Sequence, residues 1–236
     1  MPNHLDIAGE WPSPMTLSRG WAKATARPWN DAGPDAHVKL ERGGTDFLSD
    51  VTDHVSRLAS ASVYSPALYP SATRIWARSG YVETHRLEIM ERSTTTVARP
   101  DSVSEELNPD WERVAVIDEV AFEGFWRMSI DGLKEALAST KRSALLSIGA
   151  DPIDGYAVVG AQWNVSYLQR IAVHPNSSGA GYGRLLTRAA LAWGRKQAAA
   201  TMVLNVRDEN TRARKLYSKE GFVSTGTRLR ILRYEA

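Results

Sequence analysis

Residues 170–193, RIAVHPNSSGAGYGRLLTRAALAW, decide how this chain reads. Ile171, Ala172 and Val173 continue a strand-like run that Pro175 stops. Glycines then occupy every second position, Gly179, Gly181 and Gly183, and an apolar-periodic helix follows. Successive backbone N–H groups at a helix start form a concave donor set, and the helix dipole adds positive potential there. An anion such as a phosphate is the natural guest, and glycine lets it approach the backbone. A mononucleotide P-loop needs Gly-Lys-Ser/Thr, whereas Gly183 is followed by Arg184 and Leu185. A dinucleotide fold needs the loop early and an acidic residue on the next strand end, but here that strand, TMVLNV, ends in Arg207. Taken alone, the string also fits a glycine turn with no ligand.

The rest of the chain narrows the choice. With 236 residues, there is room for one large domain or two small ones. A hydrophobic fraction of 43% and a charged fraction of 24% suit a globular protein. The net charge of +2 is spread over mixed-sign runs such as RDENTRARK, which argues against a nucleic-acid face. Cys is absent, so disulfides, Cys-based zinc sites and a thiol nucleophile are excluded together. Neither a signal peptide nor a membrane-length apolar run is read, and the cytoplasm is the default expectation.

Residues 1–36 read as irregular. AHVKLE reads as a strand, TDFLSDVTDHVSRLAS as a helix, ASVYSPAL as a strand, SATRIWARSG as a helix closed by Gly80, and YVETHRLEIME as a strand. The polar stretch from Arg92 to Asp110 reads as a linker. Beyond it come a helix with Val114, Ile117, Val120 and Ala121 inward, a second helix, and strands SALLSIGA, DGYAVVGAQW and YLQRIAVHP. The helix from the glycine loop, strand TMVLNV, helix NTRARKLYSKEG and a closing strand region complete the order. The expected layout is a partial domain over 1–92, a linker over 93–110 and a main domain over 111–236. An internal repeat supports two halves: Leu216, Tyr217, Gly221, Phe222 and Val223 fall on Ile75, Trp76, Gly80, Tyr81 and Val82.

IAVHP before the loop, GRLL after it and LNVRDENTRARKLYSKEGF behind it together resemble the GNAT superfamily of acyl-CoA N-acyltransferases. The family's phosphate signature falls on Ser178 to Gly183, with Gly181 and Gly183 matched and Ser178 standing where Gln or Arg is usual. A second motif is matched by Asn210, Ala213, Leu216, Tyr217, Gly221 and Phe222. The resemblance implies an α/β (α+β) GNAT fold: a mixed, mostly antiparallel sheet flanked by helices, preceded by a partial GNAT-like repeat. It implies acetyl-CoA as co-substrate, no metal, and direct acetyl transfer to a primary amine on a small molecule or peptide. Backbone groups of Ile171, Ala172 and Val173 would pair with the pantetheine arm. Ser178, Gly179, Ala180, Gly181, Tyr182, Gly183 and Arg184 would wrap the pyrophosphate. Asn210 would help hold the cofactor, and Tyr217 would protonate the departing thiolate.

The amine also needs a base. The ribosomal-protein N-terminal acetyltransferases, which the second motif resembles, carry a glutamate where this chain has Asn205. Glu119 and Glu123 lie where the family's substrate-side helices form, and Glu123 is the candidate taken. His174 beside the loop is a weaker one, and Glu123 also reads as a solvated helix-end carboxylate. Phe125, Trp126 and Trp163 are candidates for lining the acceptor pocket. The tandem layout is similar to two-domain synthases that acetylate a small thiol-containing amine, but only the second half carries a phosphate loop. One donor site is therefore expected, on a monomer or homodimer with no nucleic-acid or membrane partner. The alternative is a non-catalytic CoA-binding sensor or interaction module.

Overall fold

The computed structural model describes residues 4–31, 33–95 and 97–235. The first half holds β1 (Asp6–Ala8), β2 (Met15–Arg19), β3 (Ala22–Pro28), β4 (Ala36–Arg42), α1 (Thr45–Ala59), β5 (Val63–Tyr64), α2 (Thr73–Arg78) and β6 (Val82–Ser93). Then follow β7 (Val103–Glu106), α3 (Trp111–Ala121), α4 (Ile130–Ala138), β8 (Arg142–Ile148), β9 (Gly155–Gln162), β10 (Val165–Val173), α5 (Tyr182–Lys196), β11 (Thr201–Arg207), α6 (Thr211–Lys219) and β12 (Val223–Tyr234). The chain forms two compact units, 1–87 with 227–236, and 88–226. The boundaries thus fall inside β6 and β12 rather than in the polar stretch 93–110. That stretch contains β7, which pairs antiparallel with β8 from Val103↔Ile148 to Glu106↔Leu145.

In the first unit β1 to β4 form an antiparallel meander, and β4 pairs parallel with β5. The expectation that 1–36 is irregular fails here, for a physical reason. Ala22, Ala24 and Ala26 alternate inward with Lys23, Thr25 and Arg27 outward. Alanine carries little strand preference, so the period-two pattern is faint in sequence. Its small side chains nevertheless share the core with Phe47, Leu48, Val51 and Val55 of α1.

The second unit orders its strands β6-β11-β10-β9-β8-β7. Helix α5 covers one face through Leu186, Ala189, Ala190, Leu191 and Trp193. Helices α3 and α4 cover the other through Val114, Ile117 and Leu133, against Leu145, Tyr156, Val158 and Ala172. Strands β8 and β9 are buried on both faces, which explains the unbroken apolar runs ALL and YAVV. Gly194 lets α5 approach β10: a Cβ there would stand 2.9 Å from Ser166 Cβ.

The internal repeat is a structural one. In each copy a helix ends on a left-handed glycine, Gly80 at φ 87° and Gly221 at φ 81°. The next aromatic donates its N–H back to the helical aromatic's carbonyl, Tyr81 to Trp76 at 3.1 Å and Phe222 to Tyr217 at 2.9 Å. Those rings then meet edge to face in both copies. Glycine at this position fits because a Cβ would be strained at positive φ.

Candidate functional site

The site grows from the end of β10. Its parallel ladder with β11 runs only from Val165↔Thr201 to Tyr167↔Val203, although β10 continues to Val173 and β11 to Arg207. The edge of β10 from Leu168 onward is therefore not paired to β11. Opposite it, the pairing of β10 with β9 is continuous except for a register shift between Leu168 and Arg170. This bulge re-aims the strand. Leu168 packs on the α5 side, while two residues later Arg170 reaches Asp118 on the α3 side. Ile171 and Val173 lean on the α5 cluster and Ala172 on the α3 cluster.

Beyond β10 the chain makes a 3-10 turn at Pro175–Ser177 and enters α5. His174 caps this turn, its Nδ1 accepting from the Asn176 N–H at 3.3 Å. That nitrogen is thus engaged with its own loop, which weakens His174 as a base. Gly179 and Gly181 take φ of 91° and 82°, and Gly181 is the residue before the first turn of α5. A Cβ on Gly179 would meet nothing within 4 Å, so backbone conformation rather than crowding selects glycine there. Gly183 has another reason: its Cβ would lie 3.3 Å from Leu216 Cδ2, so it permits close packing of α5 on α6. Ser178, Gly179, Ala180 and Arg184 are exposed, and Tyr182 is half-buried. No acidic residue occurs between His174 and Arg188.

Helix α6 closes the site. Asn210 caps it, with Oδ1 accepting from the Ala213 N–H at 3.0 Å. Tyr217 is buried in the cluster that also holds Leu204, Val206, Ile171 and Val173. Its hydroxyl makes no hydrogen bond to another described residue. Burial pushes the phenol above its usual value of 10.0, so it stays protonated in neutral solution. These features suit an extended, phosphate-bearing ligand: an open strand edge, a glycine loop free of acidic residues, and an unengaged proton donor.

The α3–α4 side was only partly legible. Val120 is 47% exposed and Ala121 is exposed, contrary to the expected inward face. The residue turned inward is Asp118, at 0% exposure. Tyr156 donates its hydroxyl to Asp118 Oδ2 at 2.5 Å, and Arg170 donates to both oxygens at 2.7 and 2.8 Å. The Met128 N–H donates to Oδ1 at 2.9 Å, and Arg170 also holds the Trp126 carbonyl at 2.7 Å. With the Arg170 guanidinium 3.5 Å over the Phe122 ring, the loop from Phe122 to Met128 is tied to β10. Trp126 in turn meets the Arg207 guanidinium at 5.1 Å. Glu119 is paired with Arg127 at 2.7 Å, while the exposed Glu123 carboxylate has no partner among the described residues. Trp163 does not join Phe125 and Trp126. It lies in the β9–β10 turn, 84% exposed, while β10 carries the chain roughly 26 Å to its other end at Val173. Asn205 is exposed on β11.

A family model described as "Acetyltransferase (GNAT) family" matches residues 104–222, half of the chain. The chain belongs to the GNAT acetyltransferase family. It is accordingly an N-acetyltransferase. Mycothiol acetyltransferase of Saccharomonospora viridis is 26% identical, over 95% of this chain and 76% of that protein. Among solved structures, a tandem GNAT protein from the clavulanic acid biosynthesis pathway aligns over 100% of this chain and 84% of its own, with TM-score 0.65 and 15% identity. A GCN5-related N-acetyltransferase from Sphaerobacter thermophilus covers 95% and 81%, with TM-score 0.57 and 14% identity. At these identities the two structures speak for the fold alone, and they agree on a GNAT fold.

Among the described residues no group of three or more His, Asp or Glu side chains could hold a metal ion. No helix among them is long and apolar enough to cross a membrane.

Proposed function

We propose that the chain transfers an acetyl group from acetyl-CoA directly to the primary amine of a small molecule, through one donor site in the second unit. The observation that carries this reading is the β10–β11 ladder that stops at Tyr167↔Val203, with the glycine loop at the end of the free edge. Acetyl-CoA supplies an activated thioester. Backbone groups of Ile171, Ala172 and Val173 hold the donor's arm as an added strand would, and N–H groups from Gly179 to Arg184 take its phosphates. Asn210 orders the start of α6, and Tyr217 gives its hydroxyl proton to the leaving sulfur. Glu123 takes the proton of the amine, since it is the carboxylate on the Trp126 loop with no cation holding it. The Asp118–Arg170 pair fixes that loop, and Trp126 with Arg207 borders the acceptor's path. Likeness to mycothiol acetyltransferase along nearly the whole chain favours a small-molecule acceptor over a peptide.

The first unit acts as a structural partner without a donor site of its own. Only Gly43 and Gly44 lie between β4 and α1, and α1 places Asp46 in its first turn, where its charge repels phosphate. The test is thiol release from acetyl-CoA across small amines and peptides, with Tyr217→Phe alongside. Release with a small amine, cut about 10²-fold in Tyr217→Phe, supports the reading. CoA binding without release from any acceptor supports a sensor instead.

A further inference from the structure

Ser178 leaves the phosphate loop without the Gln or Arg side chain that the family signature puts at its first position. The fold brings another residue to that spot. Arg212, in the first turn of α6, donates from Nη2 to Ser178 Oγ at 2.6 Å. We propose that Arg212 supplies from α6 the pyrophosphate contact that residue 178 does not make. This rests on the acetyl-CoA reading above.

The guanidinium stands at the loop's entrance, just before Gly179 and Gly181, whose positive φ turns the chain there. It has five N–H donors, and Ser178 is its one hydrogen-bond partner among the described residues. No carboxylate lies within ion-pair distance of it among those residues, in contrast to Arg188 and Arg214, which are held by Glu220 and Glu88. Farther along the loop, Arg184 Nη2 lies 3.7 Å from where a Cβ would stand on Gly181. Two guanidiniums free of carboxylates thus flank one glycine loop. A planar guanidinium suits two phosphate oxygens at once, which a serine hydroxyl cannot match. An exposed arginine held only by a serine hydroxyl adds little to folding, so stability gives it no strong reason to be there.

The experiment is calorimetric titration of the full chain with CoA and with dephospho-CoA, which keeps the pyrophosphate and lacks the 3′-phosphate. Arg212→Ala should raise Kd for both ligands about 10-fold, the size of one lost charge-assisted contact, with an unchanged melting temperature. Adding Ser178→Arg to Arg212→Ala should return Kd to within about threefold of the parent, because the charge is restored at the same place. Unchanged Kd in Arg212→Ala overturns the proposal. So does a loss confined to CoA, which assigns Arg212 to the 3′-phosphate. Equal losses in Ser178→Ala and Arg212→Ala also overturn it, because Arg212 would then act only by holding the loop. Failure of the parent chain to bind CoA contradicts the donor-site reading itself, a result distinct from all of these.

Discussion

Replacing Asp118 with Ala should be the most damaging single change on the acceptor side of the second unit. The carboxylate is fully buried and takes hydrogen bonds from Tyr156, Arg170 and the Met128 N–H. Its removal leaves Arg170, only 12% exposed, with the Trp126 carbonyl and the Phe122 ring but no counter-charge. Breaking a buried pair by deleting one partner costs about 3–5 kcal/mol, mostly the penalty of the stranded charge. The remaining exposure of Arg170 and its residual contacts, the Tyr156 hydroxyl among them, favour the lower end, about 3 kcal/mol. Removing both charges at once is less harmful, since nothing charged stays buried. Asp118→Ala with Arg170→Met should therefore lose less stability than Asp118→Ala alone. The assay is urea unfolding of the parent, both single variants and the double, accepting midpoints only where fluorescence and circular dichroism coincide. A loss under about 1 kcal/mol for Asp118→Ala, or a double variant that loses the sum of the singles, refutes the reasoning. Where the variant folds, acceptor KM should rise while the Kd for CoA holds.

Other expectations are more local. His37 is held at about 4, well below its usual 6.5, chiefly by burial, with Arg27 and Lys39 adding repulsion. Between those values the unfolded chain binds a proton that the folded chain does not, so stability is full above pH 6.5 and falls as pH drops through 4. The loss should reach about 2–4 kcal/mol, and unfolding of His37→Gln should lack that part of the pH dependence. Gly194→Ala should destabilise although alanine favours helix by about 1 kcal/mol, because the new methyl meets Ser166 Cβ at 2.9 Å; Ser166→Gly should restore the melting temperature. Glu123→Gln should lower kcat and remove the acidic limb of its pH profile, and a profile identical to the parent's excludes Glu123 as the base.

Legibility in the sequence followed how local each cause is. Gly179 and Gly181 were readable because a loop that turns at positive φ needs glycine whatever surrounds it. Tyr217 was readable as part of a helix–glycine–aromatic unit that the chain uses twice, closed each time by the same backbone hydrogen bond, and Asn210 as the residue that opens the motif and caps its helix. Asp118 was hidden: in VIDEV it resembles its exposed neighbour Glu119, and only the register shift in β10 brings Arg170 to it. Arg212 was hidden for the same kind of reason, since its relation to Ser178 spans 34 residues and exists only once α6 packs beside the loop. Strand β3 escaped notice because Ala22, Ala24 and Ala26 supply inward positions without the bulk that marks a strand.

The measurement that bears most directly on the central claim is the stoichiometry and site of CoA binding. Calorimetric titration of the full chain should give one CoA per chain. Gly179→Val places a β-branched side chain at φ 91° in open space, so it should strain the loop and weaken binding about 10-fold or more without a loss of core packing. Two sites per chain, no binding, or an affinity indifferent to Gly179→Val would contradict a single donor site built on β10, the glycine loop and α6.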